Sequence, residues 1–283
     1  MTTIEDFGEV YSVYFAHATD EQIRFSASSG GFCKGFLLFL IEHKVIDEAI
    51  ITRTGPPKSP FKPETIITNS KQDIISTRTN SVYAPNNPLK VLNKIEPQKS
   101  YAITVLGCHC RELRLKQSMG IAKNIGIVIG LLCNHTPKIK FARDIINKLN
   151  IREKDIKQIE YRGHGWPGKF SVYLTNNEII QEQFLNIWSN DLNNGPKCCR
   201  SCKEISMKAD IVACDPWGLG REKYDKIGTT LIVCRNKKSD DLVVSAEKKG
   251  YIVLEKCTRE DFIKSQGSHI ANKFLNERKN EKR

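Results

Sequence analysis

The chain has 283 residues, of which 40% are hydrophobic and 27% charged, with a formal net charge of +12. This composition is typical of a globular protein with one large core or two smaller ones. The longest uninterrupted apolar stretch, Ile125 to Cys133, has nine residues, whereas a membrane-spanning helix needs about 20. The N-terminus carries no secretory signal. The sequence therefore predicts a cytoplasmic protein without a membrane span.

The positive charge is spread over many short lysine and arginine pairs. A positive net charge of this size either indicates an anionic partner or only keeps the protein soluble. The sequence has no zinc-finger spacing and no basic stripe with interleaved aromatic residues, which are signatures of nucleic-acid binding. We therefore expect no nucleic-acid partner.

Short runs of β-branched and aromatic residues bounded by turn residues predict eight strands. In chain order they are Val10 to Ala16, Glu48 to Thr54, Tyr101 to Leu106, Gly126 to Leu132, Phe170 to Thr175, Ala209 to Ala213, Thr229 to Arg235 and Tyr251 to Glu255. Most are continuous apolar runs, which is typical of sheets covered on both faces.

Helical periodicity appears between several of these strands. One predicted helix begins just after Ser28-Ser29-Gly30-Gly31, and another begins at Pro88. Three further helices are predicted around Leu113 and Leu115, from Phe141 to Leu149, and from Phe262 to Leu275. The predicted fold class is α+β, a mixed β-sheet core with flanking helices and not a Rossmann fold.

Two composition shifts could mark boundaries, the proline-rich loop Gly55 to Pro63 and the polar segment Asn190 to Lys197. We expect an N-terminal α/β region over residues 1–98, a second domain over residues 99–275, and a basic tail over residues 276–283. The composition of the tail is typical of disorder.

Ten cysteines are many for a protein of a reducing compartment, where such a set more often holds metal than forms disulfides. Cys199 and Cys202 form a Cys-x-x-Cys pair, the spacing that recurs in zinc and iron–sulfur sites. Cys110 and Cys133 follow two predicted strands, and ends of adjacent strands bring distant residues together. These four thiols are a plausible ligand set, although Cys133 alone also fits a small core residue.

Three other segments combine small, aromatic and charged residues. Ser28-Ser29-Gly30-Gly31 opens a helix, and its amides suit an anion such as a cofactor phosphate, or form a plain helix start. Residues 161–169, Tyr-Arg-Gly-His-Gly-Trp-Pro-Gly-Lys, suit a planar anionic ligand or a rigid loop. Residues 209–218 form a predicted strand followed by a turn that contains Asp215 and Trp217. The aspartate is a candidate site residue or only caps the turn.

Together these segments resemble the beta subunit family of coenzyme F420 hydrogenases and dehydrogenases, which are iron–sulfur flavoproteins. The resemblance runs from about Ser26 to the predicted strand at Thr229. It rests on Ser29-Gly30-Gly31, Ser81-Val82-Tyr83-Ala84-Pro85, Gly107-Cys108-His109-Cys110, Gly130-Leu131-Leu132-Cys133, Tyr161 to Gly168, Cys199-Arg200-Ser201-Cys202, and Ala209-Asp210-Ile211 with Asp215 and Trp217-Gly218.

The resemblance implies a [4Fe–4S] cluster, bound FAD and hydride exchange with coenzyme F420. It implies that Cys110, Cys133, Cys199 and Cys202 hold the cluster. His109 stands where the family commonly has proline, after the extra thiol Cys108, so either Cys108 or Cys110 can be the ligand. The residues implied near the flavin are Ser29, Gly30, Gly31, Ser81, Tyr83, Arg162, Gly163, Trp166 and Asp215. The N-terminal region then contributes to the flavin site, and residues 99–275 form the iron–sulfur and flavin domain.

The expected function is a flavin- and iron–sulfur-containing oxidoreductase that passes single electrons to a separate redox partner. That partner is a ferredoxin-like protein or a hydrogenase, dehydrogenase or reductase subunit. A flavin must lie between F420 and the cluster, because F420 exchanges two electrons at once and the cluster takes one. His164 is the candidate for proton handling. Two alternatives are a ferredoxin-dependent reductase of a larger planar substrate and a zinc-stabilised binding protein without catalysis.

Overall fold

A computed structural model describes residues 7–188, 194–200, 202–206, 208–221 and 225–268 of the chain. The strands within these residues are β1 (Ser12–Ala18), β2 (Glu48–Arg53), β3 (Glu64–Thr68), β4 (Tyr101–Leu106), β5 (Ile125–Leu131), β6 (Ile156–Gly163), β7 (Lys169–Leu174), β8 (Ile179–Gln183), β9 (Ile211–Cys214), β10 (Thr230–Cys234) and β11 (Ile252–Lys256).

The helices flank these strands. They are α1 (Glu21–Ser26), α2 (Phe32–Glu42), α3 (Lys71–Ile75), α4 (Gly107–Ser118), α5 (Ile139–Lys148), α6 (Phe184–Ile187), α7 (Lys197–Arg200) and α8 (Lys237–Lys248). Residues 259–268 are also helical. The predicted helix at Pro88 is a 3-10 helix, Pro88–Lys94, with Asn87 as its N-cap.

Eight strands form one mixed sheet in the order β11-β1-β10-β9-β5-β4-β2-β3. Its centre is parallel, because β2 pairs with β4, β4 with β5, and β5 with β9 in the same direction. The strands at both ends run antiparallel to their neighbours. The predicted mixed sheet with flanking helices is therefore confirmed. The predicted boundary at residue 98 lies between β2 and β4, which are neighbours in this sheet.

Both faces of the large sheet are covered, as continuous apolar strands require. Alternate residues of β5 show this: Ile127 and Ile129 pack on the face covered by α2 and α8. Val128 packs on the opposite face, which α4 and the helical residues 259–268 cover. α4 therefore packs against β4 and β5 on this second face of the sheet.

A second, antiparallel sheet has the order β6-β7-β8. Ile159 of β6, Phe170 and Val172 of β7, and Ala142 and Ile146 of α5 form its separate core. β6 ends at Gly163, so this small sheet presents the loop that follows β6 to the large sheet.

The structure confirms the eight predicted strands with shifts of a few residues. In the described residues it adds three strands, β3, β6 and β8, and the helices α1, α3, α6, α7 and α8, which the sequence analysis did not predict. Ile270, Phe274, Leu275 and the basic tail lie outside the described residues. Within the described part of the chain, no helix has the length and apolar character needed to cross a bilayer.

Candidate functional site

Arg162, near the end of β6, is the centre of the site. It is 2% exposed. Its Nη1 donates to Asp215 Oδ2 at 2.6 Å and its Nη2 to Asp215 Oδ1 at 3.2 Å, while its Nε donates to the Pro167 carbonyl at 2.6 Å. A planar guanidinium suits such a two-point pair with a carboxylate. The pair joins the small sheet to the segment after β9.

Aromatic rings enclose this pair. Trp166 is 3% exposed, donates its Nε1 to Asp215 Oδ1 at 3.3 Å, and lies 4.7 Å from the ring of Trp217. The Arg162 guanidinium lies over the rings of Phe184, at 4.9 Å, and Trp217, at 5.6 Å. These contacts place three predicted residues, Arg162, Trp166 and Asp215, in one cluster.

Ser28 connects the segment Ser28-Ser29-Gly30-Gly31 to the cluster of Arg162, Trp166 and Asp215. Its Oγ donates to the carbonyl of Arg162 at 2.9 Å and accepts the amide of Ser81, also at 2.9 Å. Tyr83, two residues after Ser81, has its hydroxyl 3.5 Å from Arg162 Nη1. The predicted segments around residues 29, 81 and 162 therefore meet, and Ser28 is the buried hydroxyl that joins them.

The glycines of the turn are required by chain packing. Gly30 has φ +59°, and a Cβ added there would lie 2.8 Å from the Cα of Thr229. Ser29 donates its hydroxyl to the carbonyl of Thr229 at 2.8 Å. A Cβ on Gly163 would lie 1.9 Å from Glu160 Oε1. The turn at Gly30 therefore packs closely on the backbone of Thr229, the residue before β10.

Gly31 is the N-cap of α2 and provides no side-chain hydrogen bond to the first turn. The first helical hydrogen bond runs from the Gly35 amide to the Gly31 carbonyl. The amides of Phe32, Cys33 and Lys34 precede it and have no helical partner. This uncapped helix start fits a phosphate group.

A buried polar network behind the turn was missed by the sequence analysis. Lys34 Nζ donates to Asn80 Oδ1 at 2.6 Å, and Asn80 Nδ2 donates to Glu160 Oε1, also at 2.6 Å. Burial lowers the pKa of Lys34 to about 8. Asn80 also donates to the Ser26 carbonyl at 2.7 Å. The one feature of the sequence that indicates this network is Lys34, a charged residue inside the apolar run of α2.

His164 lies at the other end of that network. Its Nε2 is 3.1 Å from Glu160 Oε2 and 3.1 Å from the Tyr173 hydroxyl. The hydrogen bond to Glu160 raises the pKa of His164. The fully buried Glu160 thus connects the partly exposed His164 to Lys34 through Asn80.

Two of the predicted ligands, Cys199 and Cys202, lie in a turn beside the loop that follows β5. The Cys202 amide donates to the Cys199 carbonyl at 3.4 Å in the turn around α7. The Cys199 sulfur contacts the backbone of Thr136, three residues after Cys133. The Lys138 amide also donates to the Asn194 carbonyl at 2.7 Å. The Cys-x-x-Cys segment therefore lies on the loop that follows β5.

Cys108 and Cys110 lie on different faces of α4, as a spacing of two residues in a helix requires. Cys110 is fully buried and packs in the core with Leu113. Cys108 is an exposed residue with a partly packed sulfur, and this burial together with nearby Cys202 and Cys199 raises its pKa to about 11. The structure therefore favours Cys108 over Cys110 as the neighbour of Cys199 and Cys202.

Gly107 explains this proximity. A Cβ there would lie 2.7 Å from the backbone nitrogen of Ser206, so the start of α4 packs directly on the segment after Cys202. Within the described residues, no three cysteine, histidine or acidic side chains are grouped closely enough to hold a metal ion. The donor chemistry nonetheless suits an iron–sulfur cluster, since Cys108 lies near Cys199 and Cys202, and the Cys199 sulfur contacts the loop that follows Cys133.

An aromatic path joins the two regions. His135, two residues after Cys133, has its ring 5.4 Å from that of Trp188. Trp188 lies 4.8 Å from Tyr83, which contacts Arg162. The thiol-bearing loop and the Arg162 cluster therefore share one packed aromatic layer.

Two family models match the chain, and both describe the beta subunit of coenzyme F420 hydrogenase/dehydrogenase. The model of its N-terminal part matches residues 13–93, and the model of its C-terminal part matches residues 98–260. Together they cover most of the chain, including every cysteine and Arg162 cluster residue described above.

Two curated relatives agree with these models. The chain is 26% identical to the F420-dependent formate dehydrogenase subunit beta of Methanocaldococcus jannaschii over 245 residues, covering 84% of this chain but only 60% of that protein. It is 24% identical to the coenzyme F420 hydrogenase subunit beta of Methanothermobacter thermautotrophicus over 256 residues, covering 86% of this chain and 83% of that protein.

The fold also matches a solved structure. A chain of the F420-reducing [NiFe] hydrogenase complex of Methanosarcina barkeri superimposes with a TM-score of 0.74, covering 98% of this chain and 94% of that chain. At 18% sequence identity this similarity establishes the fold alone.

Proposed function

The chain belongs to the coenzyme F420 hydrogenase/dehydrogenase beta subunit family, and we propose on that premise that it is an electron-transfer subunit of an oxidoreductase. It holds FAD and one [4Fe–4S] cluster and exchanges hydride with coenzyme F420. The observation that carries the proposal is the proximity of Cys108 to Cys199 and Cys202, beside a loop that packs through His135 and Trp188 toward Arg162.

In this proposal the cluster ligands are Cys108, Cys133, Cys199 and Cys202. Four thiolates are the usual ligand set of a [4Fe–4S] cluster. Cys108 replaces Cys110 in the predicted set, because Cys110 faces the core and Cys108 lies beside the Cys-x-x-Cys turn. These four residues come from α4, the loop after β5 and the turn around α7, and they would hold the cluster between these segments.

The start of α2 binds the phosphates of FAD, since its N-cap Gly31 provides no side-chain hydrogen bond and its first-turn amides have no helical partner. Ser28 and Ser81 hold this turn against β6. The Arg162–Asp215 pair orients Trp166 and Trp217, whose rings shield the site from water. When bound, FAD supplies the conversion between two-electron hydride transfer and single-electron transfer.

Coenzyme F420 and a separate redox protein are the proposed partners. The names of the two relatives associate them with F420 and with a dehydrogenase or a hydrogenase. F420 carries a phosphate and an oligoglutamate tail, and a chain with net charge +12 favours such an anion.

The first experiment is anaerobic purification, followed by an absorption spectrum and assays of iron, sulfide, zinc and flavin on the same sample. We expect about four irons and four sulfides per chain with flavin bands. Reduced F420 is then added with benzyl viologen, and F420 oxidation is followed by absorbance.

Two results would overturn the proposal. One zinc without sulfide or flavin, even after anaerobic reconstitution, would favour the zinc-stabilised binding protein. Cluster and flavin that react with reduced ferredoxin but leave reduced F420 unchanged would favour the reductase of a larger planar substrate.

A further inference from the structure

One exposed face of α4 continues from the proposed cluster. Cys108, Arg111, Leu115 and Met119 are spaced by three, four and four residues, so they lie along one side of the helix. All four residues are exposed. We refer to these four residues together with Ile121 as the α4 face.

The apolar part of the α4 face is unusual for a protein surface. Met119 is 69% exposed and Leu115 is 63% exposed, the two largest values among the exposed large apolar residues in the described part of the chain. Ile121, in the turn after the helix, is 47% exposed. Single exposed apolar side chains are common, but three within seven residues mark a contact site. The opposite side of α4 packs in the core through Cys110 and Leu113, so the core contacts of the helix do not involve Leu115 or Met119.

The surroundings of the α4 face are positively charged. Residues 107–124 and 194–210 contain eight lysines and arginines and three acidic residues. These segments adjoin, since Arg111 pairs with Glu204 at 3.3 Å and Arg114 Nε donates to the Lys208 carbonyl at 2.9 Å. The other two acids are paired as well, Asp210 with Arg114 at 2.9 Å and Glu112 with Lys116 at 3.6 Å. The charge that remains is positive.

We propose that the α4 face is the docking surface for an acidic iron–sulfur protein that exchanges single electrons with this chain. The proposal rests on the function proposed above, because it places the partner beside Cys108. An apolar centre with a charged rim is the usual anatomy of a transient interface. The basic rim selects an acidic partner and steers its approach.

The electron balance sets the stoichiometry. Oxidation of one reduced F420 releases two electrons and two protons. Two partner molecules each accept one electron at this surface, and the protons pass to water. A brief, salt-sensitive contact suits this double exchange, since the first partner must leave before the second docks.

The test uses the full-length holoprotein with reduced F420 and two acceptors, an acidic bacterial-type ferredoxin and benzyl viologen. The variants are the double substitution Leu115→Ser/Met119→Ser and the single substitution Arg111→Gln. Ile179→Ser is the matched control, because Ile179 is 52% exposed on β8, in the second sheet. Ferredoxin binding is measured in parallel by calorimetry at low and high salt, which requires no turnover.

We expect the double variant to lose about tenfold in ferredoxin reduction and binding, as truncation of an interface centre does. Arg111→Gln should lower the ferredoxin rate and weaken its salt dependence. Benzyl viologen reduction and iron content should stay at the wild-type level in all variants, and Ile179→Ser should behave as wild type with both acceptors.

Variants that bind and reduce ferredoxin as well as the wild type would overturn the docking surface. A wild-type protein that reduces viologen but neither binds nor reduces ferredoxin would overturn the acidic partner. Loss of viologen reduction in the wild type would instead overturn the proposed function, and the binding measurement would still decide the surface.

Discussion

The buried guanidinium of Arg162 and the carboxylate of Asp215 lie 53 residues apart in the chain and form a two-point ion pair with N–O distances of 2.6 and 3.2 Å. The pair joins the end of the small sheet's β6 to the segment after β9 of the large sheet. Its burial makes it the first target for mutation.

Asp215→Ala should lower the free energy of unfolding by about 3 kcal/mol, because it leaves the buried Arg162 charge without its carboxylate. Urea denaturation measures this loss. Asp144→Ala is the control, since the exposed Lys140–Asp144 pair should contribute less than about 1 kcal/mol. A double variant, Arg162→Met/Asp215→Ala, should be more stable than Asp215→Ala alone. A double variant less stable than Asp215→Ala would contradict this account.

His164 should give the protein a pH-dependent stability. Its folded pKa is raised by the hydrogen bond to Glu160, against burial and Lys169. The stabilisation is complete below the ordinary pKa of 6.5 and is lost as pH rises through the folded pKa. His164→Asn, which tolerates the local φ of +59°, should therefore destabilise the protein more at about pH 6 than at about pH 9.

His17→Asn is the control for that measurement, because burial lowers the pKa of His17. Neutral His17 is favoured in the folded state, so its substitution should become more favourable as pH falls. Both effects are read as differences in unfolding free energy between the two pH values. Equal differences for the two variants would refute the assignment of opposite shifts.

Gly30→Ala should destabilise the turn at α2 by about 2 to 4 kcal/mol, since a Cβ there meets the backbone of Thr229 at 2.8 Å and φ is positive. Gly120→Ala is the matched control, because its φ is +89° but no atom lies within 4 Å of the added Cβ. It should cost about 1 kcal/mol. Thermal or urea unfolding of both variants separates backbone strain from the clash, and equal losses would contradict a clash at Gly30.

Cys108→Ser should lower the iron and sulfide content of the anaerobic protein more than Cys110→Ser does. The reason is the placement of Cys108 beside Cys199 and Cys202, whereas Cys110 packs in the core. Cys110→Ser should keep its cluster and lose about 1 to 3 kcal/mol of stability, the cost of burying a hydroxyl. If Cys110→Ser lost more iron than Cys108→Ser, Cys110 and not Cys108 would be the ligand.

The sequence predicted the central strands because they are continuous apolar runs. It missed β8, Ile179–Gln183, because this strand has mixed polar residues and is exposed at the edge of its sheet. It missed α8 although Asn236 and Ser239 form a capping box, a signal that residue spacing does contain.

The candidate site was predicted in part for a physical reason. Glycines, aromatic residues and paired cysteines mark backbone and ligand chemistry, so Gly30, Trp166 and Cys199 stand out along a sequence. The partners that hold such residues, Ser28, Asn80 and Glu160, are ordinary polar residues whose role depends on contacts made across the fold. The proposal of Cys108 in place of Cys110 likewise depends on the helical conformation of α4, since the sequence places Cys110 only as a residue after a predicted strand.

The position of β1 has a consequence for biosynthesis. β1 lies between β10 and β11, with Tyr14 opposite Ile232 and opposite Lys256. β1 therefore stays unpaired at both edges during synthesis until β10 and β11, which lie far later in the sequence, have been made. The large sheet closes late, and a nascent chain that stops before β10 would leave both edges of β1 unpaired, which favours aggregation.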